Sequence, residues 1–454
     1  MRRGRARCRA RRRRDREGLR RGGRRTDRAM RVAFLIERRN YYRLFGPIVD
    51  RALERGWETE CWHDWSHPRT GRKGSEFPDS PPTFRYGQPR VRTYQGAAEL
   101  PGLLAETQPD VVISLRQAAA GEKRGRLGWF GLQYTLDVAN LLDCGGETAC
   151  DGIGLHTQYW RDRTADCLRI KAHNRRRVQG AKEEPVDGAA VAETLRRRAT
   201  LVGIPEMDQC HWIDPAAVRA HLGIEPEQPV VLYIPFPFES NPRTFWVRHV
   251  YGSPNALWAR AAVALARRSE YRSHVARRWS DRNVVHAVRA FCDRHGAALI
   301  VKGRAKDPVP GYLARIADRV LYDEAYYPAT ILELLKISTL CLHFFSTVAY
   351  EAAYAGVPSI CIAPAGDDLG LPALWQEWFL NLDVGGSFNF PGVVYARRLG
   401  EFLDGFASAR PADYPLDPVA RAQYVERFIG FDDGKSSDRV LDAVQSLVER
   451  GTQR

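Results

Sequence analysis

The sequence lacks any apolar run of about 20 residues, the length that an α-helix needs to cross a bilayer, so no membrane-spanning helix is expected. It also lacks a Cys-x-x-Cys pair, and its nine cysteines are odd in number. This pattern differs from the disulfide framework of a secreted protein and favours a reducing cytoplasm. Peripheral contact with the inner face of the cell membrane stays open. The eleven histidines and the acidic residues show no metal-ligand spacing, so neither a metal nor another cofactor is expected.

Positive charge is concentrated at the start of the chain. The formal net charge is +15, but residues 1–29 hold fifteen Arg against three acidic residues, which accounts for twelve of those charges. This segment has almost no apolar residues and is therefore expected to be disordered. Met30 directly precedes a strand pattern, so a translation start at Met30, which would remove the segment, is an alternative. If the segment is present, its Arg density suits anionic lipid or nucleic acid, whereas no nucleic-acid partner is expected for the folded body.

The order of apolar and polar segments predicts an α/β protein with two Rossmann-like domains. A length of 454 residues also suits two domains. We expect an N-terminal domain at 30–205, a linker at 206–228, a C-terminal domain at 229–415 and C-terminal helices at 416–454. The predicted strands lie at 31–36, 57–62, 108–114, 129–134, 152–156, 200–202, 229–235, 297–301, 339–345 and 359–362.

A polar turn after the predicted strand 339–345 has the features of a phosphate-binding site. Ser346 and Thr347 follow the strand, and a helix is predicted to start at Val348. Hydroxyls and backbone N–H groups at a helix N-terminus favour an anionic phosphate. Glu351, one turn into that helix, is expected near the ligand-binding edge of the sheet. A Ser/Thr helix cap beside a surface Glu is the structural alternative.

Residues 346–360, ending in Gly-Val-Pro-Ser-Ile, resemble the donor-binding signature of glycosyltransferases of the GT-B superfamily. The resemblance implies two Rossmann-like domains that face a crevice. It also implies that Ser346 and Thr347 contact the diphosphate of a nucleotide-activated donor and that Glu351 contacts the ribose.

Four further residues complete the donor site that the resemblance implies. Lys302 and Arg304 follow a predicted strand where related enzymes have a basic phosphate-binding sequence, although the His-Pro that commonly follows the Lys is missing. Cations there would neutralise a departing diphosphate, and a solvated basic turn is the alternative. Glu239 and Ser240 follow the strand 229–235 and would lie near the donor base.

Two other segments resemble sequences of CDP-glycerol phosphotransferases and related surface-carbohydrate enzymes. Residues 203–208, Gly-Ile-Pro-Glu-Met-Asp, resemble the sequence that ends the first domain in those families. Residues 433–437, Asp-Gly-Lys-Ser-Ser, resemble a sequence near their C-terminus. The latter is not a P-loop, because the upstream glycine and a preceding strand are missing. Helix capping by Ser436 or Ser437 is its structural alternative.

The general base has three candidates. Inverting glycosyl transfer needs a group that accepts the proton of the acceptor hydroxyl. Relatives often present a His-Gly pair on the N-terminal domain, where this chain has Tyr134 instead. Glu37 at the end of the first strand, Asp137 and His156 could each serve. Their structural alternatives are a turn cap, a helix cap and a hydrogen-bonded buried His.

The resemblance implies transfer of a sugar from a nucleotide-activated donor to a glycan or glycolipid acceptor, in the synthesis of a surface polysaccharide or glycolipid. Three alternatives stay open at this point. They are transfer of a polyol phosphate from a CDP donor, a nucleotide-sugar 2-epimerase, and a non-catalytic binder of nucleic acid or membrane through the Arg-rich segment.

Overall fold

The computed structural model describes residues 29–66, 81–123, 125–134, 138, 140–179, 184–235, 281–303, 309, 311–322, 325–363 and 382–452. The expectations for the Arg-rich residues 1–28, and for Asp137, Glu239, Ser240 and Arg304, lie outside this part of the chain.

The described part of the first half is built on a sheet of seven strands whose neighbours are all parallel, in the order β3-β2-β1-β4-β5-β6-β7. Its central strands are buried along nearly their whole length, as expected for a parallel sheet covered by helices on both faces. The strands are β1 Arg31–Ile36, β2 Glu58–Asp64, β3 Arg90–Tyr94, β4 Val111–Ser114, β5 Gly128–Leu132, β6 Gly152–Leu155 and β7 Ala199–Leu201. The helices are α1 Tyr42–Glu54, α2 Gly96–Thr107, α3 Gln158–Asp162, α4 Thr164–Gln179 and α5 Gly188–Arg198, with short 3-10 helices at Arg39–Tyr41 and Pro205–His211.

The second half repeats this plan, and its described residues form six parallel strands in the order β10-β9-β8-β11-β12-β13. The strands are β8 Val230–Tyr233, β9 Ala298–Lys302, β10 Arg319–Leu321, β11 Leu340–His343, β12 Ser359–Ala363 and β13 Val394–Arg398. The helices are α6 Pro215–Leu222, α7 Asp281–His295, α8 Gly311–Ile316, α9 Thr330–Ile337, α10 Val348–Ala355, α11 Leu399–Gly405, α12 Pro418–Phe428 and α13 Ser436–Thr452, with 3-10 helices at Phe406–Ser408 and Pro411–Asp413.

The predicted fold class, two Rossmann-like α/β domains, is confirmed. Three strands were not predicted from the sequence: β3, β10 and β13. Among the described strands, each lies at an edge of its sheet and pairs with a neighbour on one side only. Edge strands are short and rich in charged residues, so they lack the continuous apolar run by which the buried strands were predicted.

The two last helices pack back onto other parts of the chain. Helix α13 contacts α1, β5 and β6 of the first half, whereas α12 lies between α10 and α3. Leu447 of α13 rests directly on the sheet, because Gly128 and Gly152 have no side chains there: a Cβ at either position would lie within 3 Å of Leu447.

The strand order reverses direction between β1 and β4 in the first sheet and between β8 and β11 in the second. Ligands of doubly wound sheets bind outside the carboxyl ends of the strands at such points. Within the described residues, no helix combines the length and the apolar character needed to cross a bilayer.

Candidate functional site

A small cavity of about 40 Å³ is lined by residues from both halves of the molecule. Tyr134 and His156 lie just beyond the carboxyl ends of β5 and β6, whereas Thr347 and Glu351 lie at the start of α10. Glu206 from the 3-10 helix between the halves completes the polar lining. The cavity therefore brings together three residues that the sequence proposed for separate roles: His156 as a base, Thr347 as a phosphate contact and Glu351 as a ribose contact.

The turn between β11 and α10 is sharp. Phe345 has a positive φ of 40°, a conformation that a bulky residue rarely adopts. The Ser346 hydroxyl accepts a hydrogen bond from the backbone N–H of Val348 at 3.3 Å, and its own O–H remains able to donate. Thr347 makes no capping bond with its side chain and instead lines the cavity. The two adjacent hydroxyls thus have different surroundings.

The backbone carbonyls at the C-terminal end of α10 also have hydrogen-bond partners. The helix stops at Gly356, which takes the left-handed φ of 81° that glycine tolerates. Arg421 of α12 donates hydrogen bonds to the carbonyls of Ala353 at 2.8 Å and Tyr354 at 2.6 Å, two of the orphan acceptors at a helix end. Helix α10 is thereby fixed at both ends.

One guanidinium connects three segments at the cavity. Arg43 of α1 donates through Nε to Glu206 at 2.7 Å, and its Nη2 also contacts Glu206 and Glu351. The side chain of Glu351 is only 6% exposed, so its charge needs this partner. Sequence reasoning missed Arg43 and Glu206, because an Arg after the first strand and a Glu in residues 203–208 carry no signal of their long-range pairing.

His156 is neutral in this environment. Its backbone N–H donates to Oε1 of Gln133 at 2.9 Å, and its Nε2 lies 3.2 Å from the carbonyl oxygen of Gln133. Because a carbonyl only accepts, Nε2 is the protonated nitrogen in this contact and Nδ1 is the acceptor. Burial lowers the pKa of His156 to about 3, so the imidazole carries no charge near pH 7.

Tyr134 lies just beyond the carboxyl end of β5, and its side chain is a neutral phenol. Asn40 donates to its hydroxyl, and its ring packs against Tyr41 at 5.3 Å between centroids. Burial raises the pKa of Tyr134 above its usual value. Tyr134 can therefore donate or accept a hydrogen bond at the cavity but does not ionise at neutral pH.

The two other described candidates lie outside this cavity. Glu37 follows β1 and forms an ion pair with Arg116, at 2.7 Å from Nε to Oε1, and Arg116 also pairs with Glu122. Lys302 ends β9 with 7% of its surface exposed, and its Nζ lies 3.4 Å from the carbonyl oxygen of Gly303.

The two segments that resemble CDP-glycerol phosphotransferases meet in space. Asp208 accepts hydrogen bonds from the backbone N–H groups of Ser436 at 3.0 Å and Ser437 at 2.7 Å. The Asp208 carboxylate thus caps the start of α13. The sequence had suggested Ser436 or Ser437 for this capping role. Gly203 is required beside them, since a Cβ would lie 2.5 Å from the Ser436 hydroxyl oxygen.

Comparison by sequence gives no match: no protein-family model and no curated protein is significantly similar to this chain. Comparison with solved structures does give matches. A structure of the wall teichoic acid polymerase TagF, obtained after a soak with CDPG, matches with a TM-score of 0.51 and 12% identity over 93% of this chain and 90% of that chain. The chain has the GT-B fold. At this identity, the likeness establishes the architecture and leaves the reaction open.

Two epimerase structures also match this GT-B chain. One is a putative UDP-N-acetylglucosamine 2-epimerase from Listeria monocytogenes, with a TM-score of 0.47 and 12% identity over 93% of this chain and 98% of that chain. The other is UDP-GlcNAc 2-epimerase from Methanocaldococcus jannaschii, with a TM-score of 0.45 and 12% identity over 92% and 100% of the two chains.

Proposed function

We propose that the protein transfers a sugar from a nucleotide-activated donor to an acceptor hydroxyl, in the synthesis of a surface polysaccharide or glycolipid. One observation carries this proposal: the cavity at which Thr347 and Glu351 of the second half face His156 and Tyr134 of the first. A donor held by one half and an acceptor held by the other would meet there.

The start of α10 is the proposed diphosphate site. The Thr347 hydroxyl and the first backbone N–H groups of the helix would donate hydrogen bonds to phosphate oxygens, with the positive end of the helix dipole behind them. Glu351 would accept hydrogen bonds from the ribose hydroxyls. Lys302, Arg304 and Ser346 remain proposed contacts to the diphosphate, and Glu239 and Ser240 remain proposed contacts to the base.

Donor binding requires the cavity at Thr347 and Glu351 to widen. A volume of about 40 Å³ is close to the space of one water molecule, far below that of a nucleotide. Glu351 would then exchange its contact with Arg43 for the ribose hydroxyls, while Arg43 keeps its contact with Glu206. Arg43 would thereby supply a cation near the diphosphate that leaves during the reaction.

The transfer itself needs one proton acceptor. The acceptor oxygen forms a bond to the anomeric carbon of the sugar, the bond from that carbon to the diphosphate oxygen breaks, and its electron pair leaves with the diphosphate. The proton of the acceptor hydroxyl goes to the base, for which His156, Glu37 and Asp137 remain the candidates. His156 lies in the cavity, and the negative donor would raise its low pKa by stabilising the charged imidazolium.

A thermal-shift screen of the full chain against UDP, CDP, GDP and TDP tests the donor site. A nucleotide that binds only the folded state raises the melting temperature. We expect one base to be preferred and the shift to be reduced in Thr347→Val and Glu351→Gln. Glu426→Gln is a matched control, because Glu426 lies exposed on α12. An unchanged shift in both cavity variants would contradict the proposed donor site.

Transfer of a polyol phosphate from a CDP donor is the second candidate. It is favoured by the contact of Asp208 with Ser436 and Ser437, which joins the two segments that resemble CDP-glycerol phosphotransferases. The products distinguish the two reactions: polyol phosphate transfer from CDP-glycerol releases CMP, whereas sugar transfer releases a nucleoside diphosphate. Turnover of UDP-N-acetylglucosamine without an acceptor would instead indicate an epimerase.

A further inference from the structure

A second, larger cavity of about 690 Å³ lies at the opposite edge of the first sheet. It opens at the amino ends of β5 and β6, where Gly128 begins one strand and Asp151 directly precedes the other. The last turns of α5 and α13 form its other walls. Because the candidate transfer site lies at the carboxyl ends of the same strands, the two cavities are separate.

The lining of this cavity, here named the basic cavity, is strongly positive. It contains five cationic side chains and one carboxylate, that of Asp151. The carboxyl ends of two helices add roughly half a negative charge each, which leaves a clear positive excess. The cationic residues are Lys123, Arg126, Arg197, Arg198 and Arg450.

The single carboxylate is already engaged. Asp151 pairs with Lys123 and accepts a hydrogen bond from the backbone N–H of Trp129 at 2.9 Å. Arg198 donates to the carbonyl of Cys150. Arg126 and Arg450 are exposed, and neither forms an ion pair with a carboxylate in the part of the chain that the structure describes. These two guanidinium groups are therefore available to a ligand.

The residues at the floor of the basic cavity are closely packed. Leu447 of α13 packs on Gly128 and Gly152, so the helix and the two strands are in direct contact. Helix α13 is also tied to α1 at its other end, where Asp438 pairs with Arg51 and Arg55. The wall that carries Arg450 is therefore held in place without a ligand.

We propose that the basic cavity binds a soluble ligand with two or more linked phosphate groups. Its volume lies within the range of about 300–1,000 Å³ found for small-molecule sites. Arginine guanidinium groups match phosphate oxygens with paired hydrogen bonds. This inference is independent of the proposed transfer reaction, because the site shares no lining residue with the first cavity.

Inorganic pyrophosphate is a suitable probe for the full-length protein. Titration calorimetry should show binding that weakens at least roughly tenfold in the double variant Arg126→Ser/Arg450→Ser, since each lost guanidinium removes a charge-assisted hydrogen bond. The matched control is Arg90→Ser/Arg169→Ser, which also removes two exposed arginines but leaves the basic cavity intact. This control should bind like the wild type.

Hydrogen exchange then locates the ligand. Pyrophosphate should slow exchange in the last two turns of α13 in the wild type and in Thr347→Val, but not in Arg126→Ser/Arg450→Ser. Equal pyrophosphate affinity in both double variants, or protection confined to the start of α10, would overturn the proposal. So would binding to phosphatidylglycerol vesicles without any binding of pyrophosphate, which would identify a lipid surface in place of a soluble ligand.

Discussion

Arg43 and Glu351 form an ion pair that joins helix α1 of the first half to helix α10 of the second, although they lie 308 positions apart in the sequence. Glu206 shares the same guanidinium from the 3-10 helix between the halves. Two carboxylates thus share one cation, and the residue proposed as the ribose contact is paired with Arg43 in this structure.

The first prediction concerns this shared cation. Arg43→Leu removes the guanidinium that contacts both Glu206 and Glu351, whereas Glu351→Gln leaves Arg43 paired with Glu206. Because an unpaired buried charge is costly, we expect Arg43→Leu to lower the free energy of unfolding by about 3 kcal/mol and Glu351→Gln by about 1 kcal/mol. Urea denaturation measures both. Equal losses would mean that the pairing with Glu206 contributes little.

The buried strands and the turn before α10 were predictable because they depend on local sequence. Continuous apolar runs predicted the central strands of both sheets. The polar turn at Ser346 and Thr347 was predicted from its position between a strand and a helix. The helix α10, predicted to begin at Val348, begins there.

The contacts between the halves were not predictable in the same way. Arg43, Glu206 and Asp208 act through partners that lie far away along the chain. A single sequence reveals which residues are charged but not which of them meet after folding. Glu351 could therefore be proposed as a ribose contact from the sequence, whereas its ion pair with Arg43 could not.

The second prediction concerns Gly46, which lies within α1 against the ring of Tyr327 from the second half. A Cβ at Gly46 would lie 2.3 Å from ring atoms of Tyr327, and the hydroxyl of Tyr327 is held by buried Asp50. We expect Gly46→Ala to destabilise the protein by about 1–3 kcal/mol, because the ring has to move.

Gly102 provides the control. It lies in α2, and apart from its chain neighbours and the backbone of its own helix nothing lies within 4 Å of the position that a Cβ would take there. Gly102→Ala should therefore stabilise the protein by about 0.5–1 kcal/mol through helix propensity. Thermal and urea denaturation of both variants give the comparison. A stabilisation by Gly46→Ala as large as that by Gly102→Ala would show that Tyr327 does not restrict Gly46.

The third prediction concerns the cap of α13. Asp208 accepts from two backbone N–H groups, and an amide at this position has only one oxygen to offer. Asp208→Asn should therefore lower the free energy of unfolding by about 1–3 kcal/mol, the cost of a buried donor without an acceptor. Asp214→Asn is the control, since Asp214 caps α6 at an exposed position where Asn serves almost as well. A loss as small as that of the control would contradict the capping role.

The last prediction concerns pH. Burial lowers the pKa of His63 to about 4 and those of His156 and His343 to about 3. Each of these imidazoles is neutral in the folded protein but takes up a proton in the unfolded chain below about pH 6.5. Folding stability should therefore fall as the pH drops from about 6.5 towards 4, by roughly 2 kcal/mol per histidine at pH 5.

His343 isolates one of these contributions. It is fully buried, and its Nδ1 only receives a long contact from the N–H of Ser346 at 3.4 Å. In urea denaturation at pH 7 and pH 5, His343→Asn should lose less stability on acidification than the wild type, because the variant has one proton fewer to bind on unfolding. The exposed His221→Asn should behave like the wild type. An acid sensitivity of His343→Asn equal to that of the wild type would mean that His343 is already protonated, or already accessible to water, in the folded protein.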